Sequence, residues 1–446
     1  MVTSTADPNV PAPDSEAFES AGTLVSSSTP EGTTAVFVAG RDQTATDSTE
    51  TGDTGEGDLA LAREFAAALN LSTWTSGEKL GELSARLERD VAMAARHEGE
   101  MSSKIISVLR DTLQSAPDRS RESGIWDLTP ALVTAACRNI LFNGNIEACD
   151  GTRIVINTLP ITVVQIGICL TSYLGTGDSG SIVHRLYRHD ITHPNNDVEQ
   201  QVRDFISQRA RRKRRSGQPG DDESLAISDL LCRALMIYGE RAMLADRSDR
   251  IWRLGHGSPM PHEMLVGSGR QEMTWESLKV LRRLLEEHRR FIFVPSEISD
   301  PAVLTIANSL APLQYAVLRN TRDIIEGYIT NSSYERPHYK LKGIYQALRA
   351  FQEEVGSKVV LSVYRTSYFS PGGVFYAHED HVHEAAQIVM ADSALQEHRG
   401  FPNLIDIADR MCRGMFDSGG VAAQVHAVLA ENGAPFRYFN ERFTRS

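Results

Sequence analysis

Four polar residues scattered along the 446-residue chain carry the side chains that metal-assisted hydrolysis requires: Asp150, Glu240, His256 and Asp409. Carboxylate oxygens are hard ligands suited to Mg²⁺ or Mn²⁺, and an imidazole among them tilts the choice toward Mn²⁺. Imidazole also exchanges protons near neutral pH. Asp150 stands in Ile146-Glu147-Ala148-Cys149-Asp150-Gly151-Thr152, a pattern that predicts a short strand ending in an Asp-Gly-Thr turn. In a strand, Ile146, Ala148 and Asp150 share one face. The tripeptide is also ordinary turn chemistry, so by itself it permits both readings. Glu240 falls at the margin of a helical stripe formed by Leu231, Leu235, Tyr238 and Ala242. There it either leans toward a metal or pairs with a nearby arginine. His256 closes a second strand between Gly255 and Gly257, with little neighbouring bulk to cover it. A ligand, an acid/base and a plain turn histidine all fit that setting. Asp409 and Asp406, three apart, are neighbours on a helix that Pro402 is suited to start. The expectation is one ligand and one helix-surface acid.

Other motifs fail on context. Gly175-Thr176-Gly177-Asp178-Ser179-Gly180 matches GxGxxG, but the residues after it alternate like a strand, and a dinucleotide site needs a helix there. A glycine-rich hairpin loop is expected. The Gly177-Asp178-Ser179-Gly180 portion has one upstream histidine, His97, in a helical context, which leaves a serine-protease triad unsupported. In His378-Glu379-Asp380-His381-Val382-His383-Glu384 valine occupies the place of the second HExxH histidine, and a solvated helix start is expected. Nothing matches a P-loop, so any energy source must be a partner. The five cysteines form no CxxC pair, which argues against a zinc knuckle or a redox motif.

The elements that must position the four residues follow from periodicity. Residues 1–57 hold ten acids and one base among Thr, Ser, Pro and Gly, a composition that predicts a disordered acidic tail. This tail carries most of the net charge of −12, so the remainder is near neutral and neither demands nor forbids a nucleic-acid partner. Residues 58–122 read as a helical N-terminal segment, with Leu80, Leu83, Leu87 and Val91 at helical spacing. Residues 123–446 read as one α/β domain. Its strands come first as a meander (146–152, 154–157, 162–173, 182–187) and then alternate with helices, which predicts a mixed sheet flanked by helices. A stretch around 313–340 has no clear assignment. The most apolar run, 154–174, is interrupted by Asn157, Pro160, Thr162, Gln165 and Ser172. With no basic-then-apolar leader either, the expectation is a cytoplasmic protein with no membrane span.

Taken in order, an Asp-Gly-Thr strand, a helix bearing Glu240, a strand closing in a Gly-Ser turn and a late Phe401-Pro402 helix resemble the NurA nuclease family. The resemblance covers about residues 126–446 and includes the helix-to-strand passage Arg289 to Glu297 and Gly327 to Ser332. It implies an RNase H-like fold and a Mn²⁺- or Mg²⁺-dependent nuclease that processes DNA ends. It also implies a homodimer partnered by a HerA-like hexameric ATPase. Asp150 matches the family's first metal aspartate and Glu240 its helix glutamate. His256 stands where the family usually has an aspartate, and Asp409 where it usually has a histidine. A metal site with exchanged ligands and a silent DNA-binding adaptor are the two readings this leaves open. In an active site of this kind two divalent ions bridged by Asp150 are expected. The basic run at Arg211, Arg212, Lys213 and Arg214 is expected to contact phosphates without sequence choice.

Overall fold

The computed structural model describes residues 63–433 except 64, 75–76, 117–118, 158–160, 267–270, 332–342, 417, and 189–228 apart from 202, 203 and 206. The expected acidic tail and the basic run Arg211–Arg214 lie outside the described residues.

Contacts divide the chain into two units, Met1–Ser84 and Ala85–Ser446. In the first, the 3-10 turn Leu71–Thr73 is capped by Asn70, whose side chain accepts from the Ser72 amide at 3.0 Å. The long helix α1 (Leu80–Ser115) follows and from Ala85 onward belongs to the second unit. Its expected stripe of Leu80, Leu83, Leu87 and Val91 is exposed. Its last turns bury Leu109 and Leu113 in an apolar cluster with Val303, Ala307 and Leu361.

In the second unit the chain continues through β1 (Gly124–Asp127), α2 (Pro130–Ala136), β2 (Ile146–Asn157), β3 (Ile161–Ser172), β4 (Gly175–Arg188), α3 (Asp229–Asp246) and β5 (Trp252–His256). Next come α4 (His262–Leu265), α5 (Gln271–Arg282), β6 (Phe291–Val294), α6 (Pro301–Ser309), β7 (Gln314–Asn320), α7 (Arg322–Asn331) and α8 (Ile344–Phe351). The described chain ends with β8 (Val359–Arg365), β9 (Gly373–His378), α9 (Val382–Ser393), α10 (Asn403–Met415) and α11 (Ser418–Glu431). Among the described residues all strands join one nine-stranded sheet in the order β1-β7-β8-β9-β6-β5-β2-β3-β4. The β2–β5 and β5–β6 pairs are parallel and the others antiparallel. The protein is therefore an α/β mixed sheet flanked by helices, preceded by a helical segment, as its element order implied.

Each face of the sheet carries its own core. Ile146 and Ala148 of β2 join Leu404, Ile405 and Ala408 of α10 in one cluster. Cys149 joins Cys232 and Leu244 of α3 in another. Alternation along β2 thus sends successive residues to opposite helices.

Two local expectations need correction, and one unassigned stretch gains a structure. Residues 146–157 form one continuous strand rather than two separated by a turn, because β3 pairs with β2 from Ala148 to Asn157 and overrides the turn preference of Asp-Gly-Thr. Gly175–Gly180 is the start of β4, not a hairpin loop. Two register irregularities in the β3–β4 pairing accommodate it. The unassigned stretch contains β7, entered through Leu313 at a positive φ of 59°.

Candidate active site

Parallel pairing builds the centre of the site. The β2–β5 register aligns Ala148 with Leu254 and Cys149 with Gly255. One step further stand Asp150 and His256, with His256 Nδ1 3.6 Å from Asp150 Oδ1. Asp150 is buried on the α10 side with Ala148, as its place in the alternation required. The imidazole is about a third exposed, consistent with its small glycine neighbours. Burial works to lower its pKa, but the Asp150 carboxylate beside it holds it above the ordinary histidine value.

Asp409 arrives from α10. Asp392 fixes the start of that helix, its carboxylate accepting from the Leu404 amide at 3.0 Å and from the Tyr173 hydroxyl. Asp409 then lies two turns on, where Arg413 donates to it at 2.7 Å. Burial and the charge of Asp150 push its pKa up. Its neighbour Asp406 is not the expected surface acid: it is buried, accepting from Gln396 at 2.8 Å and pairing with Arg399.

Glu240 comes from the opposite helix, α3, and reaches the strand at Gly151. A Cβ on Gly151 would fall 2.6 Å from Glu240 Oε1 and 2.8 Å from Met236 Cγ, so the glycine is what admits the carboxylate. Burial pushes Glu240 up in pKa, with Asp150 adding to the rise and Arg241 opposing it. The arginine that sequence left as an alternative partner is the next residue. Arg241 is 1% exposed and donates to Glu240 Oε2 at 2.9 Å. It also donates to the carbonyls of His256 at 2.8 Å and Ser258 at 2.7 Å. Its guanidinium lies 4.4 Å from the Phe293 ring centre.

Of the four expected residues, Asp150 and His256 are brought side by side, while Asp409 from α10 and Glu240 from α3 approach Asp150 from the two faces of the sheet, near enough for its charge to act on both. The sequence left Glu240 between a metal and a nearby arginine; what it did not show is that Arg241 also reaches the His256 and Ser258 carbonyls. Among the described residues no group of three or more His, Cys, Asp or Glu side chains forms a ready cage for a metal ion. The donor types nonetheless suit a hard divalent cation that keeps most of its waters and takes one or two protein ligands plus a substrate phosphate. Asp150 and His256 provide such an open pair. The histidine-rich segment after β9 is built differently. His378 is buried, and His383 bridges Tyr315 Oη at 2.6 Å and Glu122 at 3.0 Å.

No family model matches the chain, and no curated protein matches it. Among solved structures it is similar to the NurA nuclease from Sulfolobus solfataricus, at 9% identity and a TM-score of 0.39, covering 81% of this chain and 99% of that one. It is also similar to NurA bound to dAMP and manganese, at 9% identity and a TM-score of 0.36, over 75% and 93% of the two chains. A more distant likeness is to Ciona intestinalis endonuclease V in complex with an inosine-containing DNA, at 11% identity and a TM-score of 0.21, over 71% and 96%.

Proposed function

We propose that this chain is a divalent-metal-dependent deoxyribonuclease of the NurA type that processes DNA ends. The observation that supports the reading is the pairing of Asp150 and His256, far apart in sequence, at neighbouring strand ends 3.6 Å apart. Asp150 and His256 would hold Mn²⁺ or Mg²⁺, with Asp409 facing them from α10. Such an ion, when bound, supplies polarisation of the scissile phosphate. The protein's own part is positional. The β2–β5 register fixes the carboxylate–imidazole pair, and Asp150 orients the ring through Nδ1. Arg241 clamps the chain as it leaves β5.

The same reading makes DNA the substrate, with Arg211, Arg212, Lys213 and Arg214 on its phosphates. It adds a homodimer and a HerA-like hexameric ATPase as partners, in the cytoplasm. Among the described residues no helix is long and apolar enough to cross a membrane. A second reading, a silent DNA-binding adaptor for such a motor, draws on one observation: Glu240 is already ion-paired to Arg241.

Purified protein incubated with Mn²⁺ and end-labelled single- and double-stranded DNA separates the two. Cleavage by wild type and its loss in Asp150→Ala support the nuclease. DNA binding without cleavage, alone and with the motor, supports the adaptor.

A further inference from the structure

We propose that Tyr368 and Phe369, at the tip of the β8–β9 loop, form a base-stacking platform for an unpaired nucleic-acid strand that leads to Asp150 and His256. The platform rests on the nuclease reading above and adds a binding subsite to it.

Among the described residues the two rings are 76% and 75% exposed, side by side on a loop whose backbone is tied down. Arg365 donates to the carbonyls of Ser367 and Tyr368, each at 3.2 Å, and to that of Asn308 at 2.7 Å. Ser367 Oγ accepts from the Phe369 and Ser370 amides, both at 3.1 Å. Ser370 is buried, its hydroxyl 2.9 Å from that of Thr366. The loop therefore holds two apolar rings out in water, where a ligand's ring face recovers the burial they lack. Its ordering cost is met before any ligand arrives.

Strand registers put the tip beside the candidate site. β6 is parallel to β5, and β9 is antiparallel to both β6 and β8, so β8 runs the same way as β5. The pairs Gly255–Phe293, Phe293–Tyr376 and Tyr376–Leu361 set Gly255 level with Leu361, and so His256 level with Ser362. β8 continues to Arg365 before the loop begins. Its end thus stands about 10 Å beyond the level of His256 and, across three strand spacings, about 14 Å from β5. The segment ahead of α10 fills the interval. Gly400, at a φ of 60°, packs against Ser370, whose Cβ a methyl group there would meet at 2.8 Å. Phe401 follows, its ring centre 6.0 Å from that of His256. The half-exposed Arg399, paired with Asp406, lies 5.1 Å from the Phe401 ring centre.

The size of the tip favours a base over a protein. Two aromatic side chains bury about 300–500 Å² at most, short of the roughly 800 Å² per partner of a stable protein interface. A nucleobase needs only one ring face, and stacking is tolerant of sequence. In a duplex those faces already stack on their neighbours, so the platform serves unpaired bases.

Binding by the full chain, without added metal, of a single-stranded DNA carrying 2-aminopurine tests this, because stacking quenches that base. Tyr368→Ala and Phe369→Ala are each expected to weaken single-strand binding about tenfold and to relieve the quench. Blunt-duplex binding and the melting temperature stay as in wild type. Tyr368→Phe, which keeps the ring, is expected to keep affinity and quench. Unchanged single-strand affinity in the double alanine variant would overturn the platform and leave the nuclease reading standing. Equal weakening for single strand and duplex would also overturn it, since stacking would not be the cause. A double variant that binds DNA normally but sediments differently would give the tip to a protein contact instead. Wild type that binds neither DNA form, with or without Mn²⁺, would sink the platform and the nuclease reading together.

Discussion

Gly151 has no side chain, and the Glu240 carboxylate fills the space one would occupy. Gly151→Ala therefore forces two buried groups apart and is expected to cost about 1–3 kcal/mol, as overpacking does. Urea denaturation measures it, and an unmoved midpoint would contradict the close approach. Asp150→Ala has a different stability signature. Its carboxylate repels Glu240 and Asp409 but favours the charged form of His256, so its removal trades relieved repulsion against a lost partner. The expected result is complete loss of cleavage with a melting temperature near that of wild type. A protein that loses activity and several degrees together would assign Asp150 to the fold rather than to chemistry. At this scale the sequence was informative where alternation rules, as for Asp150 beside Ala148. It left Glu240 between a metal and a nearby arginine, because which side of a helix margin a long side chain takes is decided by the strand end it meets.

Among the elements, α10 depends on a buried network rather than on its own first residues. Tyr173 at the end of β3 donates to Asp392 and accepts from Asn403 at 3.0 Å, while Asp392 holds the Leu404 amide. Tyr173→Phe is expected to cost about 1–2 kcal/mol and to speed hydrogen exchange at the first turn of α10. Unaltered protection there would show that the helix start stands without the tyrosine. The end of β9 has a pH dependence. His378 Nδ1 accepts from the Asp380 amide at 3.1 Å, which requires a neutral ring, and burial lowers its pKa from 6.5 to about 4. Between those values the unfolded chain binds the proton more readily than the folded one. Stability is thus full above about 6.5 and falls as pH drops toward about 4. His378→Asn keeps an acceptor without a titration and is expected to flatten that fall by about 1–3 kcal/mol. Equal acid slopes in the two proteins would refute it. Long helices and apolar strands were legible in the sequence. β1, four residues long, and β7, entered through a left-handed Leu313, were not, because distant pairing partners stabilise them.

Over the whole molecule, acids outnumber bases 58 to 46, and residues 1–57 hold ten of the acids. The chain therefore has no global field to draw in a polyanion, and on the proposed reading its affinity for DNA comes from a local cluster. Replacing Arg211, Arg212, Lys213 and Arg214 together by Gln is expected to weaken DNA binding at least tenfold and to flatten its dependence on salt. An unchanged slope in a salt titration would take the run away from the interface. The mixed sheet followed from the order of strands and helices. The position of β5 beside β2, on which the site depends, needed the structure.

That position has a consequence for how the molecule is made. Asp150 and His256 belong to neighbouring strands separated in the chain by β3, β4 and α3, so no local hairpin brings them together. Their pocket comes into being only when this crossover closes, among the slower steps expected of a sheet with parallel pairing. A nascent or misfolded chain would accordingly possess strands and helices yet lack the Asp150–His256 pair. Protection of the β5 amides against hydrogen exchange should lag behind the far-ultraviolet signal during refolding, making the pair one of the last features to mature.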